Sequence, residues 1–207
     1  FLANGGDIGR GEVSARTIDL APTLAFLLGI PEPQHSQGKV LLDVLKGGNS
    51  YKPLTIVGLN DFHGQIDQTT LVGDNGISST VGGGAALATM FDEEFANLPK
   101  PGLLLAAGDN VGASPPNSGL LQDKPAIDVE NLWGLDATSV GNHEFDFGVP
   151  RLLDHIDRAN FPFLATNVIE NATGKLPPWL EPSKVFTING TKVGVIGAEL
   201  QSTPELV

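Results

Sequence analysis

The 207-residue chain is acidic, with 24 aspartate and glutamate residues, 12 lysine and arginine residues and a net charge of −12. This charge disfavours a nucleic-acid polymer as partner, because basic side chains must neutralise its phosphates, but metal ions could still recruit a small phosphate ester. The absence of cysteine excludes disulfides and thiolate metal sites, and no apolar run reaches the roughly 18–20 residues of a membrane span.

The first fifty residues predict a small helical segment followed by a linker. Residues 1–16 are polar and glycine-rich, which is typical of a loop. Thr17–Leu28 has apolar residues at helical spacing, and Gly29 with the prolines beyond it ends the pattern. Val40–Leu45 predicts a second short helical piece. Gly47–Ser50 has the composition of a linker, so we predict domains at 1–50 and 51–207.

Beyond this boundary, short apolar runs mostly alternate with helical stretches. Helices are predicted at about 85–97 and 125–133 and at Val149–Ala159, and Asn189-Gly190 predicts a hairpin between Val185–Ile188 and Lys192–Ile196. The alternation predicts an α/β domain. The runs that predict buried strands are Leu54–Leu59, Leu103–Ala107, Ala137–Val140 and Phe161–Ala165.

Polar side chains with metal-binding capacity follow three of these runs. If the runs are neighbouring strands, their tips meet at one edge of the sheet, where α/β proteins place their chemistry. Carboxylate, imidazole and amide groups suit Zn²⁺, Mn²⁺ or Mg²⁺, and Asp109 could lie between two ions roughly 3.5–4 Å apart, a spacing that clamps a phosphoryl group. The three segments are Asp61-x-His63, Gly108-Asp109-Asn110 and Gly141-Asn142-His143.

Four segments in this order closely resemble the 5′-nucleotidase branch of the calcineurin-like metallophosphoesterases. They are LTIVGLNDFHGQID, LLLAAGDNVGASP, VGNHEFDFG and KVGVIGAELQSTPE, and the resemblance covers about residues 53–207. It implies part of a four-layer αββα sandwich, two divalent ions such as Mn²⁺ or Zn²⁺, and a metal-activated water that hydrolyses phosphoric esters, with nucleotides as substrates.

The resemblance also implies a role for each residue of the predicted centre. Asp61 and His63 would bind the first ion, Asp109 would bridge, and Asn142 would bind the second ion. His143 would stabilise the transition state or protonate the leaving group, and Asp146 would orient it.

Three neighbouring residues receive separate predictions. Glu144 is expected to be structural, and Asn110 is placed to contact a phosphate oxygen. The family needs further histidines for the second ion, but His155 is the only histidine after His143, and its helix predicts a surface position.

These gaps suggest a fragment of a longer polypeptide. The missing ligands and the family's C-terminal substrate domain are expected beyond Val207, so the chain alone should bind metal weakly and have little activity. Alternatives are a cyclic-nucleotide, nucleotide-sugar or sulfur-ester hydrolase of the same family, or an inactive binding or structural module. The cysteine-free acidic composition favours a bacterial periplasmic or extracellular protein.

A different resemblance covers the first fifty residues. The segment VSARTIDLAPTLAFLLGIPEPQHSQGKVLLDVLKGG is similar to the C-terminal end of an alkaline-phosphatase-superfamily domain of the phosphodiesterase or sulfatase kind. In that superfamily the metal ligands lie upstream of this helix. Asp7, Asp19 and His35 are therefore not predicted as ligands, and the segment is expected to be a remnant without a core of its own.

Overall fold

The computed structural model describes residues 7–9, 13–48, 54–74, 76–97 and 102–206, and the chain divides into two compact units, Phe1–Pro53 and Leu54–Val207. Among the described residues, no helix is long and apolar enough to cross a membrane.

In the described part of the first unit there is one α-helix, α1 (Leu20–Leu28), which follows a 3₁₀ turn at Thr17–Asp19. The helix ends at Gly29, whose φ of 63° is the left-handed conformation that glycine adopts without steric cost. The second predicted helical piece is a 3₁₀ turn, Leu42–Val44. The domain assignment of this segment stays a prediction.

Asp19 ties the start of α1 to the following segment. Its carboxylate accepts the backbone N–H groups of Arg16 at 2.8 Å and Lys39 at 3.0 Å, and the Arg16 guanidinium lies at 3.1 Å. These contacts lower the pKa of Asp19 to about 2, and the hydrogen bond from the Lys39 N–H makes the largest contribution. The charged carboxylate therefore helps to hold α1 against the segment around Lys39.

This arrangement predicts a loss of order in the first unit at low pH. Because the pKa is lower in the folded state, the stabilisation is present above the unfolded value of 3.8 and is lost as the pH falls towards 2. Amide protection factors in α1 should fall over that range, and Asp19→Asn should remove the pH dependence. The exposed Asp43 provides the matched control, since Asp43→Asn should leave it in place. An unchanged pH dependence in Asp19→Asn would contradict the assignment.

The second unit contains eight strands and five helices among its described residues. The strands are β1 (Thr55–Leu59), β2 (Thr69–Val72), β3 (Ser78–Val81), β4 (Gly102–Ala106), β5 (Ala137–Ser139), β6 (Phe163–Leu164), β7 (Ser183–Ile188) and β8 (Thr191–Ile196). The helices are α2 (Gly84–Asn97), α3 (Pro116–Gly119), α4 (Lys124–Trp133), α5 (Gly148–Arg158) and α6 (Thr203–Leu206).

A parallel sheet in the order β1-β4-β5-β6 forms the centre of this unit. Each strand is followed along the chain by at least one helix before the chain enters the neighbouring strand, because parallel strands need such a crossover connection. In the register, Leu59 pairs with Ala106, and Ala106 with Thr138, so the ends of the first three strands lie side by side. The α/β class and the parallel sheet are confirmed, and the four-layer arrangement stays a prediction.

The core lies between this sheet and its helices. Leu104 and Phe163 of the sheet belong to the same buried cluster as Ile127 of α4 and Leu152 of α5. Burial of each such side chain contributes about 1.5–3 kcal/mol. This cluster gives the strand ends a firm base.

Two hairpins lie outside the parallel sheet. The β7–β8 hairpin turns at Asn189 and Gly190, with φ of 50° and 72°, as the Asn-Gly sequence predicts. The β2–β3 hairpin has no counterpart in the sequence prediction, which found only polar, glycine-rich chain there. Its side chains are almost all exposed, so no alternation of apolar and polar residues marked the strands.

Candidate metal centre

The segments that follow β1, β4 and β5 meet at one edge of the parallel sheet. His63, Asp109 and His143 each offer one ligand atom, and these three atoms lie within 4.8 Å of one another. Asp61 lies beside them, with its Oδ1 3.8 Å from Nε2 of His63. The structure thus brings together four of the residues that the sequence places in the centre.

The backbone of these segments is held in an uncommon conformation. Asp61, His63 and Asp109 have φ of 53°, 47° and 54°, which is the left-handed region that few non-glycine residues occupy. Hydrogen bonds between the first two segments maintain it: the Asp61 N–H donates to the Gly108 carbonyl at 3.2 Å and the His63 N–H to the Asp109 carbonyl at 3.0 Å. Backbone strain of this kind concentrates at functional sites.

A close approach of two glycines joins the second and third segments. Gly108 has φ of 94°, and a Cβ atom there would lie 2.6 Å from the Gly141 nitrogen. A Cβ atom on Gly141 would overlap the Asp109 carboxylate. Larger residues at either position would push Asp109 away from His143.

His143 is fixed by two hydrogen bonds. Its backbone N–H donates to Oδ1 of Asp109 at 3.0 Å, and its ring Nδ1 lies 2.8 Å from Oδ2 of Asp146. The Asp146 hydrogen bond raises the pKa of His143, although partial burial opposes it. The His143 ring meets that of His63 edge to face, with centroids 4.8 Å apart. With Nδ1 engaged by Asp146, Nε2 is the ring atom left for a substrate or a metal.

Glu144 joins the second and third segments from beneath. Its side chain is buried, and its carboxylate accepts the backbone N–H groups of Asp109 at 3.0 Å, Asn110 at 2.9 Å and Gly141 at 2.5 Å. Burial raises the pKa of Glu144 to about 7, against the lowering effect of those three donors. The residue holds the two segments that carry Asp109 and Asn142.

The other predicted asparagines differ in their placement. Asn142 is half-buried at the start of a 3₁₀ turn, Asn142–Phe145. The side chain of Asn110 is fully buried and donates from Nδ2 to Oγ1 of Thr138 at 2.8 Å, so this arrangement does not bring it to a substrate. Contact between Asn110 and a phosphate stays a prediction that this arrangement does not favour.

The predicted surface position of His155 is wrong. The side chain is only 2% exposed, and its Nε2 lies 2.8 Å from the Gln122 carbonyl. The sequence shows a helix rich in charged residues, but α5 turns His155 towards the segment before α4. Burial lowers the pKa of His155. The residue therefore packs inside the unit, facing Gln122.

Gly112 is a member of the centre that the sequence interpretation missed. Its carbonyl lies 2.8 Å from Nδ1 of His63 and also accepts the Ser114 hydroxyl at 3.2 Å. A Cβ atom on Gly112 would lie 2.6 Å from Oδ2 of Asp146. The only signal in the sequence was a glycine in the segment that follows β4. A glycine there does not by itself indicate that it lies beside both His63 and His143.

A cavity of about 720 Å³ lies beside Phe145 and is lined by Glu199, Asn167 and Thr203, among others. The Thr203 hydroxyl donates to Glu199, and burial, with a smaller effect from the charge of Asp109, raises the pKa of Glu199. The cavity thus borders the 3₁₀ turn that carries His143.

Proteins with known names match about three quarters of the chain. No protein-family profile matches it. It is 36% identical over 170 residues to the endonuclease YhcR of Bacillus subtilis, 33% over 180 residues to the cell wall protein Lmo0130 of Listeria monocytogenes, and 34% over 159 residues to a 5′-nucleotidase of Vibrio cholerae. These matches cover 75%, 75% and 76% of the chain.

A solved structure agrees with these relatives. The 5′-nucleotidase precursor of Thermus thermophilus superposes with a TM-score of 0.61 at 30% identity, over 73% of this chain and 29% of that one. About three quarters of the chain matches the 5′-nucleotidase branch of the calcineurin-like phosphoesterases. The chain spans 14–27% of the length of the three curated relatives. The predicted family is confirmed, and two of the three curated relatives are named as an endonuclease and a 5′-nucleotidase.

Proposed function

We propose that this chain supplies part of the active site of a metal-dependent phosphoric-ester hydrolase that acts on nucleotides. The observation that carries the proposal is the cluster of His63, Asp109 and His143 at the ends of adjacent parallel strands. Family membership supports the reaction class, and the nucleotidase relative supports the substrate class.

The donor atoms fit divalent ions of the Mn²⁺ or Zn²⁺ kind. His63 offers an imidazole whose Nδ1 is engaged by a carbonyl, which is the usual second contact of a metal-binding histidine. Asp61 and His63 would hold the first ion, Asp109 would bridge, and Asn142 would hold the second. When bound, two such ions would neutralise charge on a phosphoryl group and activate the attacking water.

The protein side chains account for the remaining chemistry. Asp146 holds the His143 ring in one orientation and favours its protonated form. His143 would donate a hydrogen bond to a phosphoryl oxygen or a proton to the leaving group from Nε2. Because Asp109 accepts the His143 backbone N–H, the histidine stays in register with the bridging carboxylate.

The relatives also suggest a location and a second substrate class. A cell wall protein among them supports a place outside the cytoplasm, extracellular or periplasmic.

The endonuclease at 36% identity favours a nucleic-acid phosphodiester as the second candidate substrate. The net charge of −12 argues against a polymer, since few basic residues are available to neutralise its phosphates.

Metal removal tests the proposal in the full-length native protein. Hydrolysis of a nucleoside 5′-monophosphate should disappear after treatment with a chelator and return with Mn²⁺. Parallel assays with a cyclic nucleotide and with single-stranded DNA would rank the alternatives. Hydrolysis that is unaffected by complete metal removal would refute a metal-dependent reaction, and faster cleavage of DNA would shift the substrate to the endonuclease class.

A further inference from the structure

Asp123 is a buried carboxylate outside the predicted ligand set. Its side chain is 2% exposed, and its backbone has φ of 56° at the N-cap of α4. An aspartate at an N-cap ordinarily accepts an N–H from the first turn of its own helix. Asp123 makes no such bond. The Asp123 carboxylate therefore does not cap α4, and its hydrogen-bond partners lie elsewhere.

Both oxygens of Asp123 turn towards the segment after β4. Oδ1 accepts the Ser118 hydroxyl at 2.8 Å, and Oδ2 accepts the Gly112 N–H at 3.2 Å. The carbonyl of Gly112 in turn faces Nδ1 of His63 at 2.8 Å. One residue, Gly112, thus separates the buried carboxylate from a predicted metal ligand.

The neighbours of Gly112 leave it little freedom to move. Its φ is 77°, and a Cβ atom there would lie 2.6 Å from Oδ2 of Asp146 and 2.8 Å from Cβ of His143. The carbonyl can accept but not donate, so its partner on His63 must be Nδ1–H. A fixed Gly112 therefore selects the His63 tautomer whose Nε2 carries the free lone pair.

We infer that Asp123 is a positioning residue for His63: by anchoring Gly112, it fixes the imidazole tautomer and directs Nε2 into the metal centre. The part of this inference that concerns metal affinity rests on the proposed function. The part that concerns the tautomer does not, because it can be measured without metal.

The first test is the tautomer of His63 in the metal-free full-length native protein. Ring ¹⁵N shifts, assigned against His63→Gln, should show a protonated Nδ1 and an unprotonated Nε2. Asp123→Ala should shift these signals towards a mixture of tautomers and weaken Mn²⁺ binding by about 10–100-fold. Asp123→Asn should preserve both properties, since Oδ1 can still accept the Gly112 N–H while the Ser118 hydroxyl reverses to accept from Nδ2.

Asp136→Ala is the matched control. The Asp136 carboxylate directly precedes β5 and accepts the N–H of Leu104, in the middle of β4, at 2.8 Å. The Asp136→Ala variant should be less stable, but its His63 ring ¹⁵N shifts should match those of the wild-type protein. If Asp123→Ala lowers stability while the His63 signals and the Mn²⁺ affinity stay unchanged, the inference is wrong.

Two further outcomes remain interpretable. If Asp123→Ala does not fold, the wild-type shifts still decide, because a protonated Nε2 on His63 would refute the proposed tautomer. If the wild-type protein binds no Mn²⁺, the proposed function fails, and the comparison of tautomers still tests Asp123.

Discussion

Replacing His143 with alanine is expected to lower kcat for nucleotide hydrolysis by about 10²–10⁴-fold, the usual contribution of a positioned proton donor. Its ring is held by Asp146 at 2.8 Å and its backbone by Asp109 at 3.0 Å, so Nε2 is presented to the centre in one orientation. The measurement is steady-state kinetics of the full-length native protein with saturating Mn²⁺ and a nucleoside monophosphate.

The metal content of the same variant separates two roles for His143. Its ligand atom lies within 4.8 Å of those of His63 and Asp109, which is also compatible with direct metal binding. If His143 acts on the substrate, His143→Ala should keep its bound metal and lose only turnover. Loss of metal together with turnover would make His143 a ligand, and unchanged kcat would remove it from the mechanism.

Asp146→Asn serves as the graded comparison. An asparagine can still accept the His143 Nδ1–H, but it lacks the charge that helps to raise the pKa of His143. We expect a smaller loss of kcat than in His143→Ala. Because the protonated imidazole is lost as the pH rises through its pKa, the alkaline limb of the pH profile should move to lower pH in this variant.

The sequence indicated the positions of the central residues better than their supports. Asp61, His63 and Asp109 could be placed at one edge of a sheet because each follows an apolar run, and parallel strands bring their ends together. The catalytic and ligand roles of these residues stay predictions. Asp123 could not be identified as a support, because its bond to Gly112 depends on how the segment before α4 folds back.

The incorrect prediction for His155 has a related cause. The prediction rested only on the position of His155 within a helix, and packing against the segment before α4 buries that histidine. The β2–β3 hairpin was missed because its strands are almost entirely exposed, so their sequences carry no alternation of apolar and polar residues. In both places the deciding contacts are tertiary.

Replacing Glu144 with glutamine is expected to destabilise the metal-free protein by about 2 kcal/mol, the usual cost of an unsatisfied buried donor. Both oxygens of Glu144 accept backbone N–H groups: Asp109 and Gly141 on one oxygen and Asn110 on the other. A carboxyl group keeps two acceptor oxygens even when protonated, whereas glutamine must place its NH₂ against at least one donor. Denaturant unfolding at pH 6 in the presence of a chelator measures this difference.

Glu130 provides the control for this prediction. Its carboxyl group is equally buried, and neither oxygen has a hydrogen-bond partner among the described residues. Burial raises its pKa well above the ordinary value, which favours the uncharged acid, and Glu130→Gln breaks no hydrogen bond of the described residues. Glu130→Gln should therefore cost less than Glu144→Gln. Equal losses of unfolding free energy in the two variants would mean that the hydrogen bonds from the three N–H groups to Glu144 do not stabilise the protein. The segments carrying Asp109 and Asn142 would then be held together by the close approach of Gly108 and Gly141.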